Sequence, residues 1–237
     1  MMTKKEIWER FQQEDAQKYS TRSRIYIMGW KQLYSISVEY LKSIFGKSNF
    51  QALDLGAGTG YFTKWLLKEL EGAYVSVTDF SKNMLSAVER SLNEFNGRYE
   101  TFLLDFQEDQ IGIEKYDLIV SSMAIHHLQR IEDYRRLYRK IYTALKIRGI
   151  FLCIDVLKGA DLALDIFYRD FWLDHLTECY GQKAAKRIID ETNREDSPLS
   201  LYAHLRLLHE CGFNSSDCLW KHNNFGSYVA RKSDNLL

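Results

Sequence analysis

Leu53-Asp54-Leu55-Gly56-Ala57-Gly58-Thr59-Gly60-Tyr61-Phe62-Thr63 is the stretch on which the reading of this chain turns. The apolar residues Ala52, Leu53 and Leu55 form a short strand-like run that stops at three glycines on alternate positions. Directly after them, Phe62, Trp65, Leu66 and Leu70 recur at helical spacing. Glycine adopts positive φ and lets backbone approach a ligand where a Cβ would clash. The unpaired N–H groups that open the following helix attract negative charge. Strand, glycine turn and helix in this order make a loop suited to a nucleotide-type cofactor.

The dinucleotide fingerprint G-x-G-x-x-G would need its third glycine at position 61, where Tyr61 stands. The phosphate loop ending in Gly-Lys-Ser/Thr is also absent, because Tyr61 and Phe62 follow Gly60. A second strand-like run, residues 73–78, ends at Asp79, and Ser81 is placed to cap the helix that carries Met84. An acidic side chain at the end of the second strand accepts hydrogen bonds from ribose hydroxyls. A third run, 101–104, ends at Asp105-Phe106. A fourth, 116–121, leads into Ser122-Met123-Ala124-Ile125-His126-His127-Leu128, and Gly149 precedes a fifth at 150–156. This alternation predicts βαβ units and a parallel sheet.

The D-x-G-x-G-x-G loop, with Asp79 and Asp105 at these spacings, resembles motif I and its successors in the class I S-adenosylmethionine-dependent methyltransferases, over roughly residues 50–156. The resemblance implies S-adenosyl-L-methionine as cofactor and S-adenosyl-L-homocysteine as product. It implies Asp54 beside the methionine amino group, with the loop Gly56, Ala57, Gly58 and Gly60 along the methionine and ribose. It further implies Asp79 on the ribose, Phe80 or Met84 over the adenine, and Asp105 on the adenine amine. Phe106 would supply a backbone N–H to the ring, and the backbone around Ser122 would meet the methionine end.

Toward the C-terminus, the β-like runs 215–220 and 225–230 are joined by only four residues, so they must pair antiparallel. The expected fold is a doubly wound, seven-stranded, mostly parallel α/β sheet with an antiparallel C-terminal hairpin. Leu208-His-Glu-Cys-Gly-Phe213 and Asn224-Phe-Gly-Ser-Tyr-Val-Ala-Arg-Lys232 resemble the C-terminal end of carboxy-S-adenosylmethionine synthases and related small-molecule methyltransferases. Those synthases hold an extra carboxylate with an arginine from the insert before this end, for which Arg187 is the nearest match. The glycine loop and Ser122 follow the ordinary methyltransferase pattern instead. The expected organisation is a helical N-terminal cap (1–47), a cofactor-binding domain (48–156 and 204–237) and a helical substrate-side insert (157–203).

The N-terminal segment offers Tyr19, Tyr26 and Trp30 as substrate contacts; the alternative for its aromatic residues is packing of a helix on the sheet. Phe167, Tyr168, Phe171, Trp172 and Tyr180 approximate a helical aromatic stripe, a pattern more often core than pocket. Methyl transfer from a sulfonium expels a neutral thioether and needs no proton donor, but a protonated nucleophile needs a base near neutral pKa. His126 and His127, just past the fourth strand, are the candidates; capping or core filling is the other reading.

Thirty-two basic and 32 acidic residues leave zero formal net charge, against a broad nucleic-acid surface but not a local patch such as Arg130–Arg148. No apolar run suits a membrane span, and no signal-peptide core opens the chain. Four cysteines without a C-x-x-C pair fit a reduced, cytoplasmic protein without a structural metal. The expectation is a methyltransferase acting on a small-molecule acceptor. The alternatives are a carboxy-S-adenosylmethionine synthase-like enzyme of tRNA wobble-uridine modification and a non-catalytic cofactor-binding partner protein. A homodimer stays open.

Overall fold

The computed structural model describes residues 6, 9, 10 and 26–233. Ala52, Leu53 and Leu55 lie in β1 (Phe50–Leu55), and the glycine turn leads into α2 (Tyr61–Glu69), after an earlier α1 (Trp30–Phe45). There follow β2 (Ala73–Asp79), α3 (Lys82–Ser91), β3 (Tyr99–Leu103), β4 (Tyr116–Ser122), α4 (Ile131–Ala144) and β5 (Leu145–Val156). The rest is α5 (Leu162–Tyr180), α6 (Gln182–Glu195), α7 (Leu201–Glu210), β6 (Ser215–His222) and β7 (Phe225–Arg231). Ser81 caps α3 as expected, its Oγ accepting from the Met84 N–H.

The sheet order is β3-β2-β1-β4-β5-β7-β6. Pairings among β1 to β5 are parallel. β7 runs antiparallel to both β5 and β6. The two-residue turn Asn223-Asn224 leaves no room for a crossover, and Asn223 takes the left-handed conformation such turns require (φ 51°). The sheet order reverses between β1 and β4, where an open α/β sheet opens a crevice at the carboxyl ends of its strands.

Side chains on β5 alternate between two cores, because successive residues of a strand point to opposite faces. Ile150, Leu152 and Ile154 join α1, α2, α3 and the α5–α6 pair on one face. Phe151 and Cys153 join Leu137, Tyr138 and Ile141 of α4 and Leu207 and Leu208 of α7 on the other. Both faces being covered, the strands read as continuous apolar runs.

The start of β5 and the burial of the α5 aromatic residues differ from the sequence reading. β5 begins at Leu145, not after Gly149, because Leu145 already pairs with Tyr116 across a bulge. Lys146 and Arg148 therefore lie in a strand, and Arg148 takes φ 66° while its N–H donates to the Lys232 carbonyl. The aromatic stripe of α5 also divides. Trp172 is buried, whereas Phe167 and Phe171 are about half exposed, since only one side of this helix, whose apolar residues are spread around it, meets the sheet. Among the described residues, no helix is long and apolar enough to cross a membrane.

Candidate functional site

At the crevice between β1 and β4, the loops after four strands enclose a cavity of about 280 Å³. Gly56 and Gly58 come from the turn after β1, Asp79 and Phe80 from the end of β2, and Met84 from α3. Asp105 and Phe106 follow β3, and Met123 and Ala124 follow β4. Close packing dictates the glycines. Gly56 has φ 68°, and a Cβ there would stand 2.7 Å from Ala124 Cβ and 3.2 Å from the Phe106 ring. Gly60 has φ 74°, and its Cβ would meet Val88 at 3.2 Å. The Ala57 N–H donates to the Thr78 carbonyl (2.8 Å), tying the turn to β2.

Two carboxyls sit beneath this loop. Asp79 accepts from the Gly58 N–H (2.9 Å) and the Ser81 N–H (2.8 Å) while facing the cavity. Burial pushes it up to about 6, against the backbone N–H groups of Ser81, Gly58 and Phe80. Asp54 is fully buried and does not line the cavity; its Oδ2 accepts from the Thr63 hydroxyl (2.5 Å). Burial pushes it up to about 7 against that hydrogen bond, with the Asp79 charge adding to the rise. Ser122 is likewise turned away, hydrogen-bonded to the Tyr34 hydroxyl at 2.8 Å, which docks α1 onto β4. The Asp105 carboxylate accepts from the Gln107 N–H (2.9 Å) at the cavity rim.

A second, smaller cavity of about 110 Å³ adjoins the first, and Met123 and His127 line both. Its apolar wall is Tyr26, Ile27, Trp172, Ile188 and Phe225; its polar wall is Arg10, His126, Glu191, Glu195 and Asp196. Met123, at φ 54°, is a non-glycine residue in the left-handed region, held by its N–H to the Ile154 carbonyl (2.8 Å). Strain of this kind costs about 1–3 kcal/mol and persists where the surroundings fix it.

Of the expected substrate contacts, Tyr26 lines the second cavity. Tyr19 lies outside the described residues. Trp30 is in neither cavity; it packs edge-on against Tyr34, Tyr61 and Trp65 at the α1–α2 contact. Arg187 projects from the outer side of α6, largely exposed and 3.8 Å from Glu191, because the opposite side of that helix carries the buried Ile188 and Ile189.

The two histidines have different surroundings. His126 is buried, with Nδ1 against Asp155 Oδ1 and Nε2 3.7 Å from Asp196 Oδ2. Burial opposes its charge, but Asp155 and Asp196 outweigh burial and raise its pKa to about 9. A neutral His126 base at pH 7 is therefore disfavoured. His127 Nδ1 stands 2.9 Å from Asp196 Oδ1 at the junction of the cavities. Sequence reasoning missed Asp155 and Asp196. Asp155 had a signal, a lone carboxylate inside the apolar strand 150–156; Asp196 had none, since Glu195-Asp196-Ser197-Pro198 reads as a helix end.

The basic cluster of α4 is engaged with its own chain. Arg130 and Arg136 pair with Asp133, and Arg135 pairs with Glu132 and Glu210. The Lys140 ammonium donates to the carbonyls of Phe106, Gln107 and Asp109 at 3.3, 2.8 and 2.9 Å.

Residues 53–151 match the family model of a methyltransferase domain. The chain thus carries a methyltransferase domain and is similar to S-adenosylmethionine-dependent methyltransferases. The seven-stranded order with an inserted antiparallel β7 is the methyltransferase fold. The chain is 23% identical over 204 residues to carboxy-S-adenosyl-L-methionine synthase of Nautilia profundicola, with 86% of each chain covered. Among solved structures it superposes on the S-adenosylmethionine-dependent methyltransferase SibL with TM-score 0.64 at 18% identity, covering 86% of this chain and 56% of that one. It also superposes on phosphoethanolamine N-methyltransferase 2 of Haemonchus contortus, solved with phosphomonomethylethanolamine and S-adenosylhomocysteine, with TM-score 0.68 at 17% identity. That superposition covers 98% of this chain and 61% of the other.

Proposed function

We propose that this chain moves the methyl group of S-adenosylmethionine to a small molecule seated in the second cavity. The observation that carries the reading is the shared wall: Met123 and His127 border both the glycine-loop cavity and the smaller one. In this reading Asp79 accepts from the ribose and Phe80 and Met84 cover the adenine. Phe106 and Asp105 meet the edge of the base, and the Gly56–Gly60 turn follows the methionine. Asp54, one layer down, acts by holding the turn through Thr63.

Displacement at a sulfonium carbon is accelerated mainly by aligning nucleophile and methyl in a site without water. The strained Met123 and the buried Trp172 and Phe225 are suited to closing such a site. An aperture of about 110 Å³ favours a small acceptor over a polynucleotide. The test is incubation of the purified chain with methyl-deuterated cofactor, total tRNA and a panel of small hydroxy, amino and thiol compounds, read by mass spectrometry. Label transferred to a panel member, with S-adenosylhomocysteine formed in equal amount, supports the reading; label confined to tRNA overturns it.

A carboxy-S-adenosylmethionine synthase-like activity is the second reading, favoured by likeness along 86% of the chain. The second cavity weighs against it. Glu191, Glu195 and Asp196 line that wall with Arg10, which is paired to Glu195, and Arg187 faces away, an arrangement poorly suited to a substrate carboxylate. A carboxylated sulfonium retained through purification would reverse this ranking.

A further inference from the structure

We propose that His126, His127 and Asp196 bind a divalent metal ion of the zinc class on the floor of the second cavity. One nitrogen of each imidazole and one oxygen of the carboxylate lie within 4.8 Å of one another, and all three residues line that cavity. Asp196 Oδ1 is 2.9 Å from His127 Nδ1, and Asp196 Oδ2 is 3.7 Å from His126 Nε2. Donors about 2.0–2.1 Å from a four-coordinate zinc are roughly 3.3 Å apart, and each imidazole stands within about 0.4 Å of that spacing from one Asp196 oxygen, Oδ1 for His127 and Oδ2 for His126.

The surroundings are those of a metal-binding histidine. Asp155, almost fully buried behind His126, engages Nδ1, which fixes the ring orientation and presents Nε2 toward Asp196. A carboxylate on the remote nitrogen of a ligating histidine is the usual supporting contact at such sites. Asp155, Asp196 and Glu195 also place negative charge around the point where a dication would sit, with Arg10 paired to Glu195. Three protein ligands beside open space leave a coordination position for an acceptor atom, as in catalytic rather than structural zinc sites.

The site itself stands on these ligands alone; the role given to the ion rests on the acceptor reading of the cavity. When bound, such an ion would lower the pKa of a coordinated acceptor hydroxyl, whose proton leaves to solvent, so that the acceptor oxygen is the nucleophile without a neutral histidine base. His126, His127 and Asp196 hold it, and Asp155 positions His126.

The chelator-stripped chain, without cofactor or acceptor, is titrated with Zn²⁺ by calorimetry and by NMR of the histidine side chains. We expect one ion per chain, perturbation of two adjacent histidines, and at least tenfold weaker binding in Asp196→Asn and in His127→Ala. Asp155→Asn is expected to weaken binding 10–100-fold, the range for a lost supporting contact. Wild-type protein that takes up no Zn²⁺ overturns the site, as does uptake that Asp196→Asn and His127→Ala leave unchanged or that perturbs other histidines. If a variant does not fold, the wild-type histidine spectrum decides alone. Because no methyl transfer is read, failure of the acceptor assignment leaves this result distinct.

Discussion

Two buried carboxyls show how the surroundings of a residue determine what it can do. Asp79 lines the glycine-loop cavity on backbone donors from Gly58 and Ser81, and Asp54 lies one layer below on Thr63. Asp79→Ala is expected to cost about 1–3 kcal/mol of cofactor affinity, the range for hydrogen bonds to charged groups, measured by calorimetry. Asp79 is pushed up to about 6, so cofactor affinity is expected to fall as pH drops below that value and the carboxylate loses its acceptor character. For Asp54 the folded pKa is raised from 3.8 to about 7. Its stabilising contribution is complete below pH 3.8 and is lost as pH rises through about 7. Asp54→Asn should therefore flatten the decline of melting temperature between about pH 4 and pH 7 in the cofactor-free chain. A decline as steep as in the wild type would contradict the assignment.

At the scale of elements, the glycine turn and the loop after β3 are held by contacts that spacing alone does not reveal. Gly56→Ala would force a Cβ to 2.7 Å from Ala124 in a left-handed backbone, and about 1–3 kcal/mol of stability should be lost in chemical denaturation. The loop that carries Phe106 and Gln107 is gathered onto α4 by the Lys140 ammonium. Lys140→Met should leave α4 intact yet speed hydrogen exchange across residues 105–109 and weaken cofactor binding severalfold. Unchanged exchange would assign Lys140 to the surface alone.

Over the whole molecule, the α5–α6 pair closes the second cavity by packing Trp172 against the sheet. Its Nε1 donates to the Tyr26 carbonyl (2.9 Å), and its ring meets Phe225 edge-on at 5.9 Å. Trp172→Ala should cost about 3–5 kcal/mol, as large-to-small changes in a packed core do, seen as a lower denaturation midpoint. It should also enlarge the second cavity and broaden the range of acceptors.

The glycine-loop cavity was legible because it is built from chain-local features. A glycine turn must follow a strand, and an acid at the end of the next strand must sit beside it; both are matters of short sequence separation. The antiparallel end was legible for the same reason, since the brief link between residues 220 and 225 permits nothing else. The second cavity joins residues far apart in sequence: Tyr26, His127, Trp172, Asp196 and Phe225 meet only once the helices are packed. Trp30 and Arg187 had suitable chemistry, but their helices turn them into an aromatic cluster and toward the outside. His126 and His127 are neighbours in sequence, yet Asp155 and Asp196, arriving from β5 and the end of α6, give them different charge and reach. Local order of residues thus determined the fold and its glycine loop. Which side chains face the second cavity, and with what charge, was decided by packing, because burial and long-range carboxylates act only across elements already assembled.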